Sequence, residues 1–415
     1  MKRVPILYLS SYALSLLGNS IAGIALPLLV LQTTGSLAST GILAATTAIP
    51  AFLAGIFLGV VIDRVNRRTS SVTADLISAA SIAALPVVDL VTGLDLGWFI
   101  LFGIIGAVGD VPGLTAREAM LPAIIRHGTI GAERMVGLRE SIGAVMIVVG
   151  PAAAGALMLA FEGSTVLWIT AATSLAAALV TLAIPSRVGS ISATEQSTAQ
   201  TSSLRELADG WRVLFRSNRL LRAVTLINLA LITVVASLQG LVLPAHFTLV
   251  DEPGLFGFVL TSLAVGTLVG GGIYAVFGKR GSRRRWFVPG MVGTVLGITT
   301  VAILPTVWLI FAGAFVLGLS LGLFSSLLGL LMLETIPDAM RGRIMGTQNS
   351  LMMIAAPLGI VLVSFIGDAV DLRAAALTLA VLWAVTTVVA LFAPVLRSLE
   401  PAGIPQPEEV VSEKQ

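Results

Sequence analysis

At 415 residues, with 56% hydrophobic and only 11% charged side chains, the chain lacks the polar surface that a soluble domain turns to water on all sides. Cysteine is absent, which excludes disulfides, thiolate metal sites and thiol nucleophiles, and His127 and His246 are too few for an all-histidine metal centre, so no metal or cofactor is expected. The net charge of +3 gives no reason to expect a nucleic-acid partner.

Apolar runs of roughly 20 residues, the length that crosses a hydrocarbon core about 30 Å thick, recur along the chain between charged or Gly/Pro/Ser-rich breaks. Met1-Lys2-Arg3 opens like a secretory signal, but the apolar stretch from Ile6 to Leu31 is too long for one and reads as the first span. The first six spans are predicted at 6–32, 39–62, 69–92, 97–121, 134–160 and 165–185. A hydrophilic stretch follows. Residues 190–203, rich in Ser, Thr and Gln, read as a flexible linker. Over 204–217, Leu204, Leu207, Trp211, Leu214 and Phe215 share one helical face, which suits a helix in the membrane interface, either a tether between two halves or a plain covering helix. Six more spans are predicted at 220–246, 255–278, 286–304, 307–334, 343–367 and 373–396. The sequence thus describes an all-α membrane protein of twelve transmembrane helices: a six-helix bundle over 1–186, a cytoplasmic linker over 187–219, a second six-helix bundle over 220–397 and a disordered tail over 398–415.

Orientation follows from Lys and Arg. The even-numbered connections carry Arg64, Arg67 and Arg68, then Arg126 and Arg134, the cluster from Arg205 to Arg222, the run from Lys279 to Arg285, and Arg341 with Arg343. The odd-numbered ones carry Asp89, Asp95, Glu162, Asp251, Glu252, Asp368 and Asp371, with Arg373 their one base. Both termini are therefore expected in the cytoplasm.

Between the second and third spans runs Gly59-Val60-Val61-Ile62-Asp63-Arg64-Val65-Asn66-Arg67-Arg68. It resembles the signature loop of the major facilitator superfamily, with Asn66 where the family has glycine, and Asn is the next most tolerant of a left-handed turn. The resemblance implies that Gly59, Asp63, Arg64, Arg67 and Arg68 form a cytoplasmic gate, in which the acid latches the two halves while the protein is closed to the cytoplasm. In the fifth span, Gly150-Pro151-Ala152-Ala153-Ala154-Gly155 resembles the exporter motif Gly-Pro-x-x-Gly-Gly, with Ala154 for the first paired glycine. Small residues also simply pack membrane helices together. The run Ile24 to Ser36 and Pro337 with Arg341-Gly342-Arg343 are similar to the macrolide-efflux and enterobactin-exporter-like branch of drug/proton antiporters.

Ionisable groups at mid-membrane are costly and so mark function. Asp110, halfway along the fourth span, suits reversible protonation, unless it is paired structurally. Arg117 lies seven residues further on the same face but about 10.5 Å along the axis, too far for a direct pair with Asp110. Arg139 and Glu140 enter the antiparallel fifth span at similar depth, so Arg117 with Glu140, or Glu118 with Arg139, are the expected crossed pairs; Glu118 is a second protonation candidate. Asp75 is expected near the inner end of the third span as an interfacial or latch carboxylate. Asn19, Asn228 and Gln239 either line a substrate cavity or hydrogen-bond a neighbouring helix.

The sequence therefore points to proton-coupled export of small lipophilic molecules by a monomer in a bacterial inner membrane. A siderophore or lysolipid exporter, or an importer on the same fold, is the alternative. No nucleophile, base and cofactor set supports an enzyme, and no receiving module supports a receptor.

Overall fold

The computed structural model describes residues 3–62, 65–127, 131–189, 219–278, 282–335, 341–396 and 399. Twelve long helices run through them: α1 (Val4–Thr34), α2 (Leu37–Ile62), α3 (Arg67–Thr92), α4 (Leu96–His127), α5 (Ala132–Ala160) and α6 (Gly163–Leu182) in the first half. In the second half come α7 (Arg219–Leu249), α8 (Leu255–Phe277), α9 (Arg284–Ala302), α10 (Val307–Thr335), α11 (Arg341–Ala369) and α12 (Leu372–Phe392). Eleven are long and apolar enough to cross a membrane. The twelfth, α9, has 19 residues and opens on Arg284 and Arg285, which lowers its apolarity.

Many hydroxyls in the spans are satisfied within their own helix, as hydrocarbon demands. Hydroxyls return to carbonyls one turn back: Thr47 to Leu43 at 2.8 Å, Thr170 to Val166 at 2.7 Å and Thr233 to Leu229 at 2.7 Å. Interior prolines occur in α1 (Pro27), α2 (Pro50), α3 (Pro86), α5 (Pro151) and α11 (Pro357) without ending the helix. In α7 the ladder widens to a π turn over Leu238–Val242.

Within the first half, α3 packs on α4 and α6, α1 on α5 and α6, and α2 on α4; within the second, α10 packs on α8 and α9, and α12 on α7, α9 and α11. The α8–α10 contact is backbone to backbone. Gly266 and Gly270 face Gly318 and Gly322, and a Cβ on any of the four would meet a main-chain carbonyl of the other helix. Between the halves, α2 lies on α11, α5 on α8 and α1 on α7.

Two sequence expectations change. The fourth helix continues past 121, through Pro122, to His127. Asn66 does not make a left-handed turn: at φ −55° and ψ 117° it is the N-cap of α3, its side-chain oxygen accepting the amides of Arg68 (3.0 Å) and Thr69 (3.3 Å). Its amide nitrogen donates to the Ser186 carbonyl at 2.9 Å, tying the helix start to the end of the first half. Asparagine serves there because its side-chain oxygen accepts amides that a helix start leaves without internal partners. The linker over 190–217, Pro337 and the tail beyond 399 lie outside the described residues.

Candidate functional site

A cavity of about 380 Å³ lies among α1, α2, α3 and α4, with Gly240 of α7 and Ile360 of α11 closing it from the other half. Its wall is mostly apolar or small: Leu26, Leu43, Ile82, Leu85 and Phe102, with Gly103 and Gly106 letting α4 approach. Two strongly polar groups face it, Asn19 and Asp110. Asp110 shares this cavity wall with Ser78 of α3, and among the described ion pairs it has no cationic partner. An ionisable group at such a place in a membrane protein is costly and marks function.

The neighbouring charges are paired elsewhere. Asp75 is not interfacial, as the sequence suggested. It is buried, one turn from Ser78 on α3, and meets Arg117 of α4 at 2.6 Å, with Arg117 only 2% exposed. Ser15 donates to Asp75 at 3.1 Å, Arg117 also donates to Ser11 at 3.3 Å, and Tyr8 donates to the Arg117 carbonyl at 3.3 Å. The reason is the antiparallel crossing of α3 and α4, which brings the two side chains to one depth.

Of the expected crossed pairs, Glu118 with Arg139 forms, at 2.7 Å, whereas Glu140 accepts a second bond from Arg139 at 2.6 Å rather than pairing with Arg117. Both acids are largely exposed, at 64% and 68%, a different setting from that of Asp110. The Arg139 guanidinium lies 5.2 Å from the ring centre of Tyr12, which stacks on Tyr8. Tyr12 also borders a second cavity, of about 410 Å³, with Leu16, Asn19, Ser20, Gly143, Met146 and Ile147. Asn19 is thus shared by both cavities. Asn228 and Gln239 are half-buried on α7 and line neither.

The exporter-like segment lies between the halves. A Cβ on Gly257 of α8 would meet the Pro151 carbonyl and the Gly155 backbone, one on Gly155 would meet Gly254, and one on Gly150 would meet Ser20 of α1. Thr261 of α8 donates to the Val148 carbonyl at 3.1 Å. A second seam joins α2 and α11, where Gly41 faces Ser364 and Gly367 faces Leu37. A third is apolar, with Ile21, Ile24 and Leu28 of α1 in one cluster with Leu238, Leu241 and Val242 of α7. These seams close the end of the molecule that bears the α1–α2 turn.

In the signature loop, Gly59 falls in the last turn of α2, while Asp63 and Arg64 lie outside the described residues. Arg67 donates to the Ala119 carbonyl at 3.1 Å and Arg68 to the Leu182 carbonyl, so these bonds fasten α3 to α4 and α6 within the first half. Sequence reasoning missed Gln348 of α11, buried and bonded to Thr225 at 2.7 Å, and Trp383 of α12, bonded to Thr294 at 2.8 Å. No local pattern marks either.

Long apolar helices meeting across such seams, with cavities among them, are an architecture shared by many secondary transporters. The sequence model of the Major Facilitator Superfamily matches residues 8–252 and 231–414, and the chain belongs to that superfamily. It is 30% identical over 408 residues to the multidrug efflux pump Tap of Mycolicibacterium fortuitum, covering 97% of this chain and 99% of the relative. The corresponding Tap of Mycobacterium tuberculosis is 30% identical over 386 residues (92% and 91%), and macrolide efflux protein A of Streptococcus pyogenes 24% over 366 residues (87% and 88%). Among solved structures, the nucleoside transporter NupG superposes with a TM-score of 0.71 at 16% identity, over 92% of this chain and 97% of that one. A bacterial homologue of the lysosomal transporter Spinster, inward-facing and unoccupied, gives 0.68 at 14% identity, over 93% of each.

Proposed function

We propose that this chain is a proton-driven exporter of small lipophilic molecules, working as a monomer by alternating access in a bacterial inner membrane, with both termini in the cytoplasm. The observation that carries this is Asp110, a carboxylate without a cationic partner among the described ion pairs, facing an apolar cavity. The efflux activity named for the Tap and macrolide relatives supports the direction of transport. The distribution of Arg and Lys supports the orientation, and with it the closed end is the outer one.

On this basis Asp110 takes a proton arriving from outside and delivers it to the cytoplasm, while substrate leaves in the opposite direction. Asn19, bordering both cavities, offers a hydrogen bond to substrate or water beside Asp110. Glu118, exposed and paired with Arg139, is the second candidate for the proton. Arg117, held by Asp75, fixes the α3–α4 crossing against which Asp110 is positioned. Gly150, Pro151 and Gly155 supply the α5 side of the outer closure, and Gly59, Asp63, Arg64, Arg67 and Arg68 the inner gate. Asn228 and Gln239 are assigned to the central path. The bundles are divided at 186 and 220, with the linker between them.

The test is accumulation of lipophilic dyes and drugs in a host stripped of its own exporters. Cells expressing the chain should retain less dye than controls, and a protonophore should abolish the difference. Equal retention across a broad panel, with the protein present in the membrane, contradicts the assignment.

A further inference from the structure

The geometry points to Asp368 as the residue that latches the outer mouth shut, a role in the transport cycle carried by α11 and received by the start of α2. Its carboxylate spans the two halves. One oxygen accepts the amide of Leu37 at 3.2 Å; the other accepts the amide of Ala38 at 3.1 Å and the hydroxyl of Ser36 at 3.3 Å. These amides are among those a helix leaves without internal partners, and their end of the helix dipole favours an anion.

Local structure does not account for this acid. Asp368 lies in the last turn of α11, which ends at Ala369, where its own helix dipole disfavours a negative charge. Three residues on, Asp371 does local work, capping α12 through the Ala374 amide at 2.5 Å. On the receiving side, α2 already has its own cap, Ser36 accepting the Ser39 amide at 3.3 Å. Gly35, left-handed at φ 64°, ends α1 and leaves a turn short enough to hold the α2 terminus in place.

The latch sits over the cavity. Leu37 against Gly367, then Gly41 against Ser364, continue the seam inward. Ile360, eight residues before Asp368 and so about 12 Å deeper along α11, lines the cavity with Thr40 of α2. Opening the outer mouth must part α2 from α11 and break the three bonds of Asp368. Because that site is exposed, water can replace them, so the latch is reversible.

This role rests on the transport reading and on its orientation, and its test is separable from both. The chain has no cysteine, so Thr40→Cys gives a single thiol below the latch, at a position 4% exposed. Its labelling by a membrane-impermeant maleimide added outside intact cells reports the open mouth. Asp368→Ala should speed labelling roughly two- to thirtyfold, the factor that corresponds to losing a helix cap. Asp368→Asn, which keeps one acceptor, should fall between, and Asp371→Ala, which removes only a local cap, should leave the rate unchanged. Labelling unaffected by Asp368→Ala overturns the latch, as does equal acceleration by Asp371→Ala, which would mean general loosening of that end. If labelling is unaffected while wild-type cells still expel dye, the latch fails and the export function stands. Faster labelling in a protein that exports nothing supports the latch and sinks the export function.

Discussion

Asp75 and Arg117 offer a sharp test of how the first half is held together. The guanidinium is 2% exposed, and its bonds are to Asp75 at 2.6 Å and Ser11 at 3.3 Å. Asp75→Ala removes the counter-charge and leaves Arg117 buried among apolar helices with one hydroxyl. Breaking a buried pair from one side costs about 3–5 kcal/mol, because the remaining charge cannot return to water. The exposed pair of Arg139 with Glu118 should contribute under about 1 kcal/mol by contrast. Replacing both buried partners, Asp75→Leu with Arg117→Met, removes charge and partner together and should recover most of the loss. Reversible unfolding in mixed detergent micelles measures these variants, and with Asp75→Leu and Arg117→Met also made singly it closes a double-mutant cycle. Asp75→Ala within about 1 kcal/mol of wild type, or a double variant less stable than either single one, would refute the pairing as a structural fixture.

Two other perturbations follow from particular contacts. Gly257→Ala puts a methyl against the Pro151 carbonyl and should abolish export while the protein still inserts; Gly272→Ala, with nothing within 4 Å of its Cβ, should export normally, and dye-efflux rates normalised to membrane protein decide between them. Asn66→Ala should destabilise the protein by about 1 kcal/mol and Asn66→Gly by only a few tenths, measured by the same unfolding assay; equal losses would mean that the cap is not what Asn66 supplies.

The twelve spans were legible because each is a run of apolar residues between charged or turn-forming breaks, and such a pattern needs no knowledge of neighbours. The Glu118–Arg139 pair was legible for a related reason: two antiparallel helices joined by a short loop must present residues equidistant from it at similar depth. Asp75 was misread because distance from a helix end does not say which helix lies alongside. The available signal was a polar stripe, Ser71, Asp75 and Ser78 on one face of α3, opposite Ser11 and Ser15 on α1. Asp368 looked like one more acid in an outer connection, since its partners are amides 330 and 331 residues away. Asn66 was drawn toward a turn by the loop it resembles, although Asn just before a helix is itself a capping signal. The cavity, enclosed largely by one half, depends on how four helices tilt, which no periodicity records.

Proton coupling through Asp110 is tested most directly in sealed vesicles reconstituted with Asp110→Asn and loaded with a dye substrate. The amide keeps the volume and one acceptor and stands for the permanently protonated acid. The variant should bind the dye and exchange labelled for unlabelled dye across the membrane, yet fail to concentrate it when an opposing proton gradient is imposed. Uphill transport by Asp110→Asn at the wild-type rate would contradict the account and shift the proton to Glu118; loss of binding and exchange together would make Asp110 a structural residue instead.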